Sequence, residues 1–330
     1  MPDRLIELHL HLGGGVAPHI LWSMAHEQGF KLPVKDYFEF VDLVSSNPNK
    51  VRSLEDYLKI LHEWTEKIQS SPHAIERAVY EVFAKEHRGS LVDAMELRFN
   101  PMKRNLGGQR DLDHIIHAAL RGLDRACLEY GIRGGLIFCL AREFSADLNE
   151  IIVDKAIKYR NRGVIGIDLA GTERNNLELQ ADAVVRFADM FARARAAGLK
   201  TTVHTGETPN TDGAGVIAAV KHLKVDRIGH GIRAAHSDEA MQILKDEGVT
   251  LEICPTSNLH TRAVADLQEL KWVLRRFLDN GVRFTINTDA TYMLNTDLRR
   301  EAELLVAADI LSAEELAGCF NNAREASFLS

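Results

Sequence analysis

Ala196-Ala197-Gly198-Leu199-Lys200-Thr201-Thr202-Val203-His204 reads as a helix end, a glycine stop and a short buried strand finishing on a polar residue. Glycine closes a helix because it enters the left-handed conformation cheaply. The same phrase recurs. Gly131 precedes an apolar strand over 136–140, Gly163 one over 164–169, Gly248 one over 249–254 and Gly281 one over 282–287. Three more strands fit, over 5–12, 93–99 and 227–230, making eight. Strands alternating with helices pair in parallel through right-handed crossovers. Eight such units predict a (β/α)8 TIM-type barrel, with a doubly wound open sheet as the alternative.

Between the first two strands lies a helical insertion that a minimal barrel does not need. Residues 18–29 read as a helix with Ile20, Leu21, Met24 and Ala25 on one face. Ser53 caps a second helix with an apolar stripe of Leu54, Leu58, Leu61, Trp64 and Ile68. That stripe fits core packing, a lid over a pocket, or both. Ser71-Pro72 opens a third helix closing near Gly89, and Ser312-Ala313-Glu314-Glu315 starts C-terminal helices with a capping box. No linker-like stretch interrupts residues 1–330, which predicts a single barrel domain.

The composition is that of an ordinary globular protein, 45% hydrophobic and 26% charged. A net charge of -7 with no basic run argues against a nucleic-acid partner. No apolar run reaches membrane-spanning length, and no secretory signal precedes the first strand. Cys127, Cys139, Cys254 and Cys319 are scattered, as expected of reduced thiols in a cytoplasmic protein. The expected partner is a small molecule; whether the chain forms homo-oligomers is not legible.

Barrel chemistry sits at the C-terminal ends of the strands. The first strand ends with His9 and His11, two apart and therefore on one face, before Gly13-Gly14-Gly15, which reads as a freely bending turn. Strand four ends with Asp168 followed by Gly171, strand five with His204 followed by Glu207, strand six with His230 and strand eight with Asp289. Imidazoles and a carboxylate gathered at one mouth suit Zn²⁺, which lowers the pKa of bound water to about 7. Glu207 is placed to act as a general acid and His230 to orient or deprotonate the water. Gly171 offers an unobstructed backbone N–H to a flat ligand.

These residues carry a resemblance. Glu7-Leu8-His9-Leu10-His11-Leu12, Asp168-Leu169-Ala170-Gly171, His204-Thr205-Gly206-Glu207, Arg227-Ile228-Gly229-His230-Gly231, Cys254-Pro255-Thr256-Ser257-Asn258 and Asn287-Thr288-Asp289 look like the adenosine deaminase family of the amidohydrolase superfamily, in order across nearly the whole chain. The resemblance implies one Zn²⁺ per subunit on His9, His11, His204 and Asp289. Glu207 would protonate a purine ring nitrogen, His230 would act on the attacking water, and Asp289 would help orient it. The Gly171 backbone would hold N3, with His11, Gly13 and Ala290 also bordering the substrate. The products would be ammonia and a 6-oxopurine.

Two positions depart from the family pattern. Ala290 stands where a second aspartate usually contacts purine N7, and Gly13 where an aspartate usually contacts the ribose 5′-hydroxyl. Each lost hydrogen bond to a buried polar group costs on the order of 1–3 kcal/mol. The expected substrate therefore differs from plain adenosine: a 5′-modified adenosine, free adenine, or another amino-heterocycle such as a pterin or aminopyrimidine. Gly13 would leave room for a 5′ substituent. Arg98, Arg142 and Arg174 would serve an acidic group or form ordinary salt bridges. Three rivals are a two-metal hydrolase of esters, lactones or phosphoesters, a non-catalytic metal-dependent binding protein, and a nucleic-acid editor. The first would need a bridging residue on strand four, where only Asp168 stands; the last would need a basic channel and usually a Cys-rich zinc site.

Overall fold

A computed structural model of the chain describes residues 4–47, 49–106, 111–175, 181–208 and 213–329. Eight strands follow one another in a single sheet in sequence order: β1 (Leu5–His11), β2 (Val92–Phe99), β3 (Arg133–Ala141), β4 (Val164–Ala170), β5 (Lys200–Thr205), β6 (Arg227–His230), β7 (Thr250–Ile253) and β8 (Phe284–Ile286). Every neighbouring pair is parallel. The sheet then closes on itself. The His11 N–H donates to Asp289 O at 2.7 Å, and the Asp289 N–H donates to His9 O at 2.8 Å. This bridge joins β1 to the segment just past β8, so the fold is the (β/α)8 barrel and not the open sheet.

The glycine stops behave as their chemistry requires. Gly131, Gly163, Gly198, Gly248 and Gly281 all have positive φ, between 66° and 122°. Ser53 accepts the Asp56 N–H at 3.3 Å and Ser71 the Ala74 N–H at 3.2 Å. Ser312 and Glu315 complete the capping box of the helix Ala313–Ala326. That helix packs Ala323 against Ile6, Leu8 and Ala94, covering the end of the barrel away from the strand C-termini.

Two readings need correction. Gly13-Gly14-Gly15 is not a bending turn but part of a single helical turn, Leu12–Gly15, without positive φ. Its glycine is needed for close approach: a Cβ at Gly14 would stand 2.2 Å from Ala290 Cβ. The insertion holds a further helix, Tyr37–Val44, capped by Asp36. Its apolar stripe, Ile68 included, packs inward as expected but runs through a π-helical segment, Leu61–Thr65, and is widened by Tyr57 and Ile60. Leu54, Tyr57, Ile60 and Leu61 become buried, while Leu58 and Trp64 are only partly so. This stretch packs on Ala290, Met293 and Leu294 and also roofs the central cavity, so it is core and cover at once. The four cysteines are free. Among the described residues no helix is long and apolar enough to cross a membrane.

Candidate active site

The strand ends bring His9, His11, His204, His230 and Asp289 into one cluster. Ligand atoms of His9, His204 and His230 lie within 4.8 Å of one another, as do those of His9, His11 and Asp289. His11 Nε2 stands 2.9 Å from His204 Nε2 and 3.6 Å from Asp289 Oδ1, and His9 Nε2 is 3.8 Å from the same oxygen. Both His230 and Asp289 hold positive φ, near 60°, without being glycine. Such backbone persists only where the surroundings over-determine it, and it turns these two side chains inward.

What lies behind the rings decides their tautomers. His9 Nδ1–H donates to Glu252 Oε2 at 2.7 Å, and His204 Nδ1–H donates to Asp168 at 3.0 Å. Each ring therefore presents a bare Nε2 to the centre. His9 Nε2 is fully buried and has no hydrogen-bond partner. An orphaned imidazole lone pair is costly unless a cation takes it. Burial first, then the neighbouring charges of Arg98 and the other histidines, holds His9 and His11 well below the ordinary histidine range. They are thus neutral, the form that ligates a metal. A divalent metal ion fits this donor set.

The carboxylates behind the rings are themselves anchored. Arg98, fully buried, reaches Glu252 at 2.8 Å and Asp168 at 3.3 Å, and donates to Leu8 O. Arg227 holds the other oxygen of Glu252 at 2.6 Å. Burial opposes the charge on Glu252, but the two guanidiniums bring it down to about 2. Asp168 is thereby occupied by His204 and Arg98, which removes it as the bridge a two-metal hydrolase would need on β4. Sequence reading missed Glu252. The available signal was a single charge inside the apolar run Leu251-Glu252-Ile253-Cys254.

Glu207 and His230 form a pair at 2.9 Å, both buried. Burial alone would push His230 down, but the Glu207 carboxylate raises it to about 9 and is itself held low by the imidazole. Asn258 meets His230 Nδ1 at 3.0 Å from behind. Glu173, another buried acid, accepts the Glu207 N–H at 3.3 Å and the Thr208 hydroxyl, fixing the loop that carries Glu207. Asp289 accepts from Ser257 at 2.6 Å and from Tyr57 at 3.2 Å, so the inserted helix reaches the centre directly. The alternation of leucines in the stripe gave no hint of Tyr57.

His11, His204, Glu207, His230 and Asp289 line part of a cavity beneath the inserted helix. Gly171 borders it with φ +106°, and Glu143 Oε2 stands where a Cβ would be, 2.2 Å away. Gly13 also borders it, but its free side is taken: a Cβ there would meet Leu61 at 3.0 Å and Arg104 and Glu66 at 3.4 Å. Ala290 is not among the lining residues; it is buried behind the wall against Gly14. The three arginines offered for an acidic group are engaged elsewhere. Arg98 serves Asp168 and Glu252, Arg142 the backbone oxygens of Leu169, Gly171 and His204, and Arg174 the side chain of Glu55 at 2.9 Å.

The chain matches the profile of the adenosine deaminase family over residues 5–330. It is 32% identical over 312 residues to an adenosine deaminase of Vibrio vulnificus, covering 94% of this chain and 89% of the relative. It superposes on the crystal structure of an adenine deaminase from Arthrobacter aurescens with a TM-score of 0.86 at 24% identity, over 99% of this chain and 94% of the other. A zinc-bound amidohydrolase of Burkholderia ambifaria matches with a TM-score of 0.85 at 23% identity, over 99% and 86%.

Proposed function

From the premise that this chain belongs to the adenosine deaminase family, we propose that it removes ammonia hydrolytically from an adenine-type substrate, using one zinc ion held by His9, His11, His204 and Asp289. The observation that carries the metal is the buried, unpartnered Nε2 of His9, flanked by the imidazoles of His11 and His204 and the carboxylate of Asp289. When bound, the ion supplies an acidified water as nucleophile. The protein groups do the rest. Glu207 and His230 share one proton across their 2.9 Å contact; once it passes from His230 to Glu207, Glu207 donates it to the ring nitrogen beside the amino-bearing carbon, making that carbon electrophilic. His230, left neutral by that transfer, takes a proton from the attacking water. Asp289, fixed by Ser257 and Tyr57, orients that water while also ligating. The backbone at Gly171 steadies the ring, with His11 and Gly13 along its edge. One water enters and one ammonia leaves, and the water oxygen becomes the ring carbonyl.

The substrate in this reading is a small purine-type molecule, and the fully buried Ala290 and the side-chain-free Gly13 keep plain adenosine from being its best form. The test is ammonia release from aminopurines, 5′-modified adenosines, pterins and aminopyrimidines, with protein of measured zinc content. One equivalent of zinc with turnover of a 6-aminopurine is the expected result. Efficient turnover of adenosine alone, near roughly 10⁶ M⁻¹s⁻¹ in kcat/KM, would remove the altered specificity and leave the deaminase.

A further inference from the structure

The cavity has two ends. One is lined by His11, His204, His230, Asp289 and Glu207; the other by His62, Glu66, Asn100, Lys103 and Arg104. A ring whose reacting carbon faces the first end must point its remaining substituent at the second. The chemistry of that second end is unbalanced toward donors. Arg104 is fully buried, and its Nε has no acceptor; its Nη1 lies 2.9 Å from Glu66 Oε1 without the alignment of a hydrogen bond. Asn100 is buried too. Its Oδ1 accepts the Lys103 N–H at 3.0 Å, while its Nδ2 has no partner. Glu66 is the sole acid lining this end, and it is shared with His62 Nδ1 at 2.6 Å. The partner of Lys103, Glu143 at 2.6 Å, is not among the lining residues.

Lys103 is balanced by Glu143, whereas Arg104 meets only the shared carboxylate of Glu66, and three buried donor atoms, Arg104 Nε and Nη1 and Asn100 Nδ2, have no hydrogen-bond partner. Unpaired buried donors are costly, and a guanidinium is matched best by a planar or tetrahedral oxyanion. Gly13 also borders the cavity, with Arg104 Nη2 3.4 Å from where its side chain would begin, beside Leu61 at 3.0 Å. We propose that the substrate carries an anionic group, a carboxylate or a phosphate, on its end remote from the reacting carbon, and that Arg104, assisted by Asn100 and Lys103, reads it. This rests on the deaminase reading above. It places the acidic-group recognition in the short helix Met102–Arg104 after β2 and not in Arg98, Arg142 or Arg174.

The experiment uses the zinc-loaded full chain and three probes: adenosine, adenosine-5′-carboxylate and adenosine 5′-monophosphate. At least one anion should exceed adenosine in kcat/KM by tenfold or more, and which one does so identifies carboxylate or phosphate. Arg104→Gln should raise KM for that anion by roughly 10–100-fold while changing adenosine turnover less than about threefold, in line with the loss of a charge-assisted hydrogen bond. Glu66→Gln, which frees Arg104 from its competing acid, should lower KM for the anion several-fold. A merely structural pair would make both variants worse for every probe. Should Arg104→Gln fail to fold, Glu66→Gln and Lys103→Met decide. Adenosine turned over as well as both anions, or variants that depress all probes alike, overturns the inference and leaves the deaminase standing. No ammonia from any probe by metal-loaded protein overturns the deaminase reading and this inference with it.

Discussion

His9 Nδ1 lies 2.7 Å from Glu252 Oε2, with both side chains fully buried. This single contact fixes the tautomer that leaves His9 Nε2 bare, and it also ties the centre to Arg98 and Arg227. Outer carboxylates of this kind typically contribute 10–100-fold to metal affinity. Glu252→Gln should therefore weaken zinc binding by roughly that factor, measured by competition with a chromophoric chelator. It also leaves two buried guanidiniums short of a counter-charge, for which about 3–5 kcal/mol of lost stability is the expected scale. Unchanged zinc affinity in a folded variant would separate Glu252 from the metal.

Glu207 is not one of the four residues assigned to the ion; it pairs with His230. Glu207→Gln keeps size and polarity and removes only the transferable proton. Zinc content should stay at one equivalent, and kcat should fall on the order of 10²–10⁴-fold, the usual worth of a general acid. Metal analysis and ammonia release on one preparation check both halves. Retained turnover would strip Glu207 of its role.

Gly14 has no space for a side chain. A Cβ would come within 2.2 Å of Ala290 Cβ and 3.1 Å of its Cα, and the Gly14 carbonyl already accepts the N–H groups of Tyr292 and Met293. Gly14→Ala should cost about 1–3 kcal/mol, the scale of overpacking a filled core. Because Ala290 follows Asp289, zinc affinity should fall as well. Denaturant unfolding with and without zinc checks this, and a fully stable variant would show that the seam yields.

Glu301 gives a pH signature away from the centre. Burial raises its carboxyl to about 7 from an ordinary 4.5, although Thr296 and Thr256 hydrogen-bond to it. The native state thus keeps a proton that the unfolded chain loses first. Stability from this group is full below about pH 4.5 and declines as pH rises toward 7, by about 3 kcal/mol in all. Glu301→Gln should flatten that decline between pH 5 and 7. Thermal melts of both proteins across this range make the comparison; parallel pH profiles would contradict it.

The amino-acid sequence by itself determined the barrel, because each strand is a short apolar run behind a glycine that has to turn left-handed, and those signals are local. It also determined which polar residues end the strands: His9, His11, Asp168, His204, His230 and Asp289. Only the tertiary structure decided what each of them does to the others. Asp168 faces His204 and not the cavity, Glu252 comes from mid-strand to hold His9, and Tyr57 reaches Asp289 from the insertion. Ala290 falls behind the wall and Arg104 in front of it. Such roles depend on contacts between residues tens to hundreds of positions apart, and on which atom is left unpaired once those contacts form. Periodicity along a chain carries neither.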